Sequence, residues 1–258
     1  MNTADILGVQ VNLIRLPQVM ERIQQVIVRD RRAIFTHANM HAIIIASEQE
    51  WFRQFLNDAD LTTCDGMGVK LGARLLGYDI PERFTLADWI WQLAGFAEDQ
   101  GYSLFLLGNP PGVPDRAFAQ LQARYPRLQL AGVQHGYFNH TAGHPENEAV
   151  IQKINAAHPD ILLVGFGMPE QERWLQANWP RLKANITLTC GALFEYMASD
   201  LKRGPHWMTD HYLEWLARAL ISPRRYLPRY LHDTPLFLWQ LLKQRFASGA
   251  RKLPINVK

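Results

Sequence analysis

The chain has 258 residues, enough for one large domain or two small ones, and 48% hydrophobic with 20% charged residues supplies an ordinary globular core. A formal net charge of only +3 argues against bulk nucleic-acid binding. Cys64 and Cys190 each sit in an apolar run, which excludes a disulfide framework or metal site and reads as buried thiols in a reducing cytosol.

Residues 6–14 alternate loosely, as a strand or hairpin, and 17–28 have helical spacing with Val19, Ile23 and Val26 on one side. A short apolar strand over 33–36 precedes a helix over 39–45. A helical piece over 51–57 precedes the strand 61–64, which ends on Asp65-Gly66-Met67-Gly68-Val69 and a helix over 70–76. A helix over 89–96 leads to a continuous apolar strand, 102–107, that ends on Gly108-Asn109-Pro110-Pro111-Gly112. Then come a helix over 117–125, a strand over 128–134 and a helix over 149–157. The strand 161–164 ends on Gly165-Phe166-Gly167-Met168-Pro169, followed by a helix over 170–178 and a strand over 186–190 that ends on Gly191. Strands alternating with helices, the later ones apolar without a polar face, predict an α/β fold. It is a mostly parallel, Rossmann-like sheet with helices on both faces. Composition shifts near Lys202. The chain divides into an α/β core over 1–201 and a helical, basic C-terminal appendage over 202–258. The start, Met1-Asn2-Thr3-Ala4-Asp5, has no basic region followed by an apolar one, so no signal peptide is expected. No apolar stretch of about 18 residues predicts a transmembrane helix.

Ligands of open α/β sheets collect at the carboxyl ends of strands. Asp65 stands there, as a candidate general base or as a simple helix cap. Gly165-Phe166-Gly167 lets backbone approach a ligand, and free N–H groups at the helix start beyond it suit a diphosphate. The third glycine of a dinucleotide fingerprint would fall on Glu170, so an NAD-dependent oxidoreductase is the weaker reading. Thr36-His37-Ala38-Asn39 closes another strand with side chains that hydrogen-bond a sugar, although Asn39 also suits a helix cap. His37 and His41 are four apart but lack the Glu and third ligand of a zinc helix. Asp58-Ala59-Asp60 has the form of a glycosyltransferase metal motif, yet it lies at the wrong end of its strand and reads as a solvated loop. The appendage interleaves cations with Trp207, Trp215, Tyr226, Tyr230, Phe237, Trp239 and Phe246, which suits a membrane surface or a lipid-linked anion.

Taken in order, several motifs resemble the WecG/TagA/CpsF family of bacterial glycosyltransferases. They are Thr36 with Asn39, Asp65-Gly66-Met67-Gly68-Val69, Arg83 with Asp88, Gly136-Tyr137-Phe138, Gly165-x-Gly167-x-Pro169-x-Gln171-Glu172, Lys202-Arg203-Gly204-Pro205, Leu213-Glu214-Trp215-Leu216 with Arg218, and Pro223-x-Arg225. The resemblance implies a metal-independent, inverting enzyme that needs no cofactor. Such an enzyme moves a sugar from a UDP-sugar onto a polyprenyl-diphosphate-linked saccharide for wall polymer, capsule or exopolysaccharide. It would work in the cytoplasm, peripherally on the inner face of the cytoplasmic membrane. The resemblance makes Asp65 the base, with Thr36, Asn39 and Gln171 beside the reacting centre. The donor nucleotide is expected on Gly108, Tyr137, Gly165, Gly167, Gln171, Glu172 and Arg83. The lipid diphosphate is expected on Arg203, Arg218, Arg224, Arg225 and Arg229. Departures at Glu195, Asp200, Gly204 and Leu86-Ala87-Asp88 leave the donor open among N-acetylmannosamine, its uronic acid, glucose and glucuronic acid. A non-catalytic nucleotide-binding module is the rival from another class. The subunit count is open, because an appendage lifted from a membrane would expose an apolar patch and favour a homo-oligomer.

Overall fold

A computed structural model describes residues 2–201, 208, 214–221 and 223–247, without the side chains at 214, 215, 218, 225 and 226. The chain begins with an antiparallel hairpin, β1 (Thr3–Ile6) and β2 (Val9–Asn12), with Thr3 opposite Asn12. Then come β3 (Ala33–Ala38), β4 (Leu61–Cys64), β5 (Ser103–Gly108), β6 (Gln129–Gln134), β7 (Ile161–Gly165) and β8 (Ile186–Thr189). These six form a parallel sheet in the order β4-β3-β8-β7-β5-β6.

The helices are α1 (Leu16–Val28), α2 (Met40–Glu48), α3 (Glu50–Asp58), α4 (Met67–Leu76), α5 (Leu86–Gln100), α6 (Val113–Arg124), α7 (Pro145–Ala157), α8 (Glu170–Asn178), α9 (Leu193–Met197), α10 (Glu214–Ile221) and α11 (Pro223–Ala247). One core cluster joins α1, α5, α6 and α9 to one face of the sheet, and a second joins α2, α3, α4, α7, α8 and α11 to the other. Both faces are therefore covered, as the continuous apolar strands require. The exception is β6, whose Gln129 and Leu130 are exposed because it is the sheet edge. Helices α5, α6 and α7 start three or four residues before their apolar periodicity does. Their first turns carry Asp88, Pro114 with Asp115, and Pro145 with Glu146, residues that suit a helix start but do not extend the apolar spacing of the helix.

Helix α11 runs 25 residues, through Pro228 and Pro235, and turns Asp233, Phe237, Leu241 and Gln244 toward the core. Phe237 and Leu241 are buried against α4 where Gly72 leaves room. A Cβ on Gly72 would lie 2.9 Å from both side chains. Gln244 accepts from the Leu7 amide at 2.9 Å and donates to the Asp5 carbonyl at 3.2 Å, which ties the far end of α11 to the hairpin. Among the described residues, no helix is long and apolar enough to cross a membrane.

Candidate active site

A cavity of about 250 Å³ opens at the carboxyl ends of β3, β4 and β8, with Thr36, Asp65, Thr85, Gly167 and Thr189 on its wall. Asp65 is the first residue beyond β4, and its amide donates to the Ala38 carbonyl at 2.9 Å, which continues the ladder with β3. The Phe84 amide donates to the Cys64 carbonyl at 2.7 Å and staples the loop before α5 onto that strand end. The same staple brings Thr85 over the acid, where its hydroxyl donates to Asp65 Oδ1 at 3.0 Å. Thr85 is buried and was not among the sequence candidates. The Thr36 and Thr189 hydroxyls lie 2.9 Å apart, and Thr63 donates to the Thr36 carbonyl at 3.2 Å, so hydroxyls from three neighbouring strands floor the cavity. Asn39 caps α2, its Oδ1 accepting from Ala42 at 3.0 Å, and it also lines the cavity.

The crossovers from β5 to β6 and from β7 to β8 leave in opposite directions, so the boundary between β5 and β7 is the switch point where open sheets bind nucleotides. Gly108 and Gly165 face each other there. A Cβ on Gly108 would sit 2.3 Å from the Gly165 carbonyl oxygen, so only glycine fits that approach. Asn109, a second residue not expected from sequence, ties the loops together. Its side-chain amide donates to the Gly165 carbonyl at 2.7 Å and the Gly191 carbonyl at 3.1 Å, and its own carbonyl accepts from Gly136 at 2.8 Å. Gly136 leads to Tyr137, which is 69% exposed, while Phe138, His140 and Phe166 pack as an aromatic cluster.

Gln171 and Glu172 stand behind the wall rather than on it. Both are fully buried. The Gln171 carbonyl oxygen accepts from the Gly191 amide at 3.0 Å and its amide nitrogen donates to Glu172 Oε1 at 2.8 Å, so Gln171 shapes the β8 turn. Burial pushes the Glu172 carboxyl up to about 8. Burial, with the neighbouring Asp65 charge, pushes the Cys64 thiol up to about 12, and burial raises Cys190 as well, which leaves both thiols inert. Asp60 accepts from the Ile34 amide at 2.9 Å near the opposite end of the sheet, in keeping with the bland reading of that acidic pair. Among the described residues, no three His, Cys, Asp or Glu side chains are grouped to hold a metal.

Helix α11 delivers Arg229 to the cavity wall. Asp233, one turn on and buried, accepts from His41 Nδ1 at 2.8 Å and lies 3.5 Å from Arg229 Nε. Burial, then the Arg229 charge, hold His41 below its usual range, against the upward pull of Asp233. The neutral ring therefore donates from Nδ1 to that carboxylate. Arg224 is exposed, and Arg203 and the side chains of Arg218 and Arg225 lie outside the described residues. A second cavity, about 720 Å³, runs between α4 and α11 and shares Asn39, Asp65, Thr85 and Arg229 with the first. Arg83 lines it and pairs with Asp88 at 3.3 Å.

A doubly covered parallel sheet, glycine turns at its switch point and a carboxylate at a strand end are the marks of an α/β protein that takes its ligand at the carboxyl ends of the strands. The model of the Glycosyl transferase WecG/TagA/CpsF family matches residues 4–251, and the chain belongs to that family and is a glycosyltransferase. It is similar to the N-acetylglucosaminyldiphosphoundecaprenol N-acetyl-beta-D-mannosaminyltransferase of Staphylococcus aureus strain NCTC 8325 / PS 47, 28% identical over 248 residues, 95% of this chain and 94% of the relative. The protein of the same name from strain MW2 is 27% identical over the same length. Family membership sets aside the non-catalytic module and the oxidoreductase.

Proposed function

We propose that this enzyme transfers a sugar, with inversion, from a UDP-sugar to the hydroxyl of a polyprenyl-diphosphate-linked saccharide. The observation that carries the reading is the place of Asp65, on the shared wall of two cavities of unlike character. The relatives are named for joining N-acetylmannosamine to a diphosphoundecaprenol-linked N-acetylglucosamine, which supports the same donor sugar and acceptor class here.

In this reading Asp65 accepts the acceptor hydroxyl's proton, with Thr85 holding Oδ1 and orienting the carboxylate. The freed oxygen forms its bond to the anomeric carbon as the bond to the UDP oxygen breaks, and UDP leaves with that electron pair. Backbone N–H groups beyond Gly167 and the Arg229 guanidinium offset the charge gathering on the diphosphate, a role a metal would otherwise take. Residues 202–258 act as an appendage that rests on the cytoplasmic face of the membrane, where the acceptor lies.

The test is calorimetric titration of UDP in EDTA, with NAD as control, followed by turnover of UDP-N-acetylmannosamine on a prenyl-diphosphate-linked N-acetylglucosamine. Metal-free UDP binding and transfer support the reading. UDP binding only after Mg²⁺ or Mn²⁺ is restored overturns its metal independence, and no UDP binding overturns the donor.

A further inference from the structure

We infer that His41 holds one of the two sugars in the catalytic cavity, its Nε2 accepting from a sugar hydroxyl or amide N–H while Asp233 keeps the ring proton on Nδ1. This rests on the proposed function and names a substrate contact of the same site.

His37 and His41 both line the cavity that holds Asp65, but in different settings. His37 stands near the end of β3 with its Nδ1 3.3 Å from the Thr189 hydroxyl, so it extends the hydroxyl floor. His41 is the second residue of α2, in the turn that Asn39 caps. Its Nδ1 lies 2.8 Å from Asp233 Oδ2, and the Asp233 side chain, 4% exposed, also faces Arg229 at 3.5 Å and His232 at 3.1 Å. A buried carboxylate anchored in this way fixes both the orientation and the tautomer of the ring. Among the described residues no hydrogen bond is made to Nε2, and the His41 side chain is 28% exposed.

A second proton does not fill that nitrogen. Burial, the Arg229 guanidinium and the positive end of α2 all oppose a charge on the ring. A neutral Nε2 repels phosphate oxygens and accepts only from O–H or N–H. Its neighbours on the wall do other work. The Thr36, Thr63, Thr85 and Thr189 hydroxyls are engaged with one another, with a backbone carbonyl or with Asp65, and a guanidinium can only donate. A sugar brings several hydroxyls, and Asp65 takes the one that reacts. Nε2 is placed to take another, from the donor sugar or from the acceptor sugar.

NMR of the full chain, isotopically labelled at the histidine ring nitrogens, reports which nitrogen of each ring carries the proton. The His41 signals are assigned by their loss in His41→Gln. The parent should carry the proton on Nδ1. Asp233→Asn, whose amide can donate to Nδ1, should move it to Nε2. UDP-N-acetylmannosamine and N-acetylglucosamine on a short prenyl diphosphate are then added in turn, with UDP and the prenyl diphosphate alone as controls. The Nε2 resonance should move with at least one sugar-bearing ligand and with neither control, and the ligand that moves it tells donor sugar from acceptor sugar. His41→Leu should lower kcat/KM for that substrate roughly tenfold to a hundredfold with UDP affinity kept. His41→Gln, which puts an amide oxygen near the place of Nε2, should recover most of the loss. Thermal melts report that each variant folds. A parent with its proton on Nε2, a resonance that follows UDP alone or ignores both sugars, or Leu and Gln variants of equal activity overturns the inference. A resonance that moves without sugar transfer refutes the function and leaves the contact assigned. Transfer with an unmoved resonance does the reverse.

Discussion

At the scale of single residues, Asp65 and Thr85 act as one unit. If Asp65 is the base of the proposed function, Asp65→Asn removes the proton acceptor and should lower kcat about 10²–10⁴-fold with UDP affinity kept, which steady-state kinetics with calorimetry will check. Thr85→Val deletes one hydrogen bond to the acid and should lower kcat about tenfold, with Thr85→Ser restoring it. Glu172 gives a prediction of another kind. The unfolded chain ionises this carboxyl near its ordinary 4.5, while the folded chain keeps it protonated until about 8. Stability is therefore greatest below pH 4.5 for this group and falls as pH rises through that window. Glu172→Gln has no such proton to lose, so its melting temperature should gain on the parent's between pH 5 and pH 8. A constant difference between the two across that range would place the carboxyl's titration elsewhere. The place of Asp65 at a strand's carboxyl end was legible in sequence because an apolar run stops at it and a glycine turn follows. Thr85 was not, since only the Phe84-to-Cys64 hydrogen bond, twenty residues apart in the chain, brings it to the acid.

At the scale of elements, the strands were read nearly to their ends because burial on both faces leaves unbroken apolar runs, as in Ser103–Gly108. Helix starts were misplaced where the first turn is made of proline, acidic and short apolar residues that do not carry the helical spacing. The geometry of α11 was the least legible, because Pro228 and Pro235 speak against a continuous helix there. What decides its place is tertiary: the notch at Gly72 accepts Phe237 and Leu241, and the Asp233 carboxylate meets His41. Gly72→Val should press α11 off α4 at a cost of about 1–3 kcal/mol. Calorimetry should then find UDP binding weakened by less than kcat falls, because Arg229 leaves the cavity and no longer meets the charge gathering on the diphosphate. Asp233→Asn would test the same coupling from the other side. It removes the charge beside Arg229 and should impair turnover more than UDP affinity. If UDP affinity falls first, Asp233 serves the donor site and does not seat α11.

At the scale of the whole molecule, two features lie at the carboxyl ends of the strands: the glycine pair Gly108 and Gly165 at the switch point, and the apolar cavity between α4 and α11. Away from the core, α11 exposes Leu238, Leu242 and Phe246, with Lys243 stacked 4.9 Å from the Trp239 ring, the mixture that suits an interface between lipid and water. Co-sedimentation with anionic vesicles should be strong at low ionic strength and weaken as salt rises, because the cations act across a Debye length. Binding indifferent to salt would assign the attachment to the leucines and Phe246 alone.

The acid shared by the two cavities has a kinetic corollary. Under the proposed function, one reactant arrives by diffusion in three dimensions and the other in two, and they meet at the carboxylate that both cavities share. Under the proposed reading, the rate at fixed enzyme should follow the mole fraction of acceptor within the bilayer. Adding inert lipid should slow turnover even though no reactant has been removed from the tube.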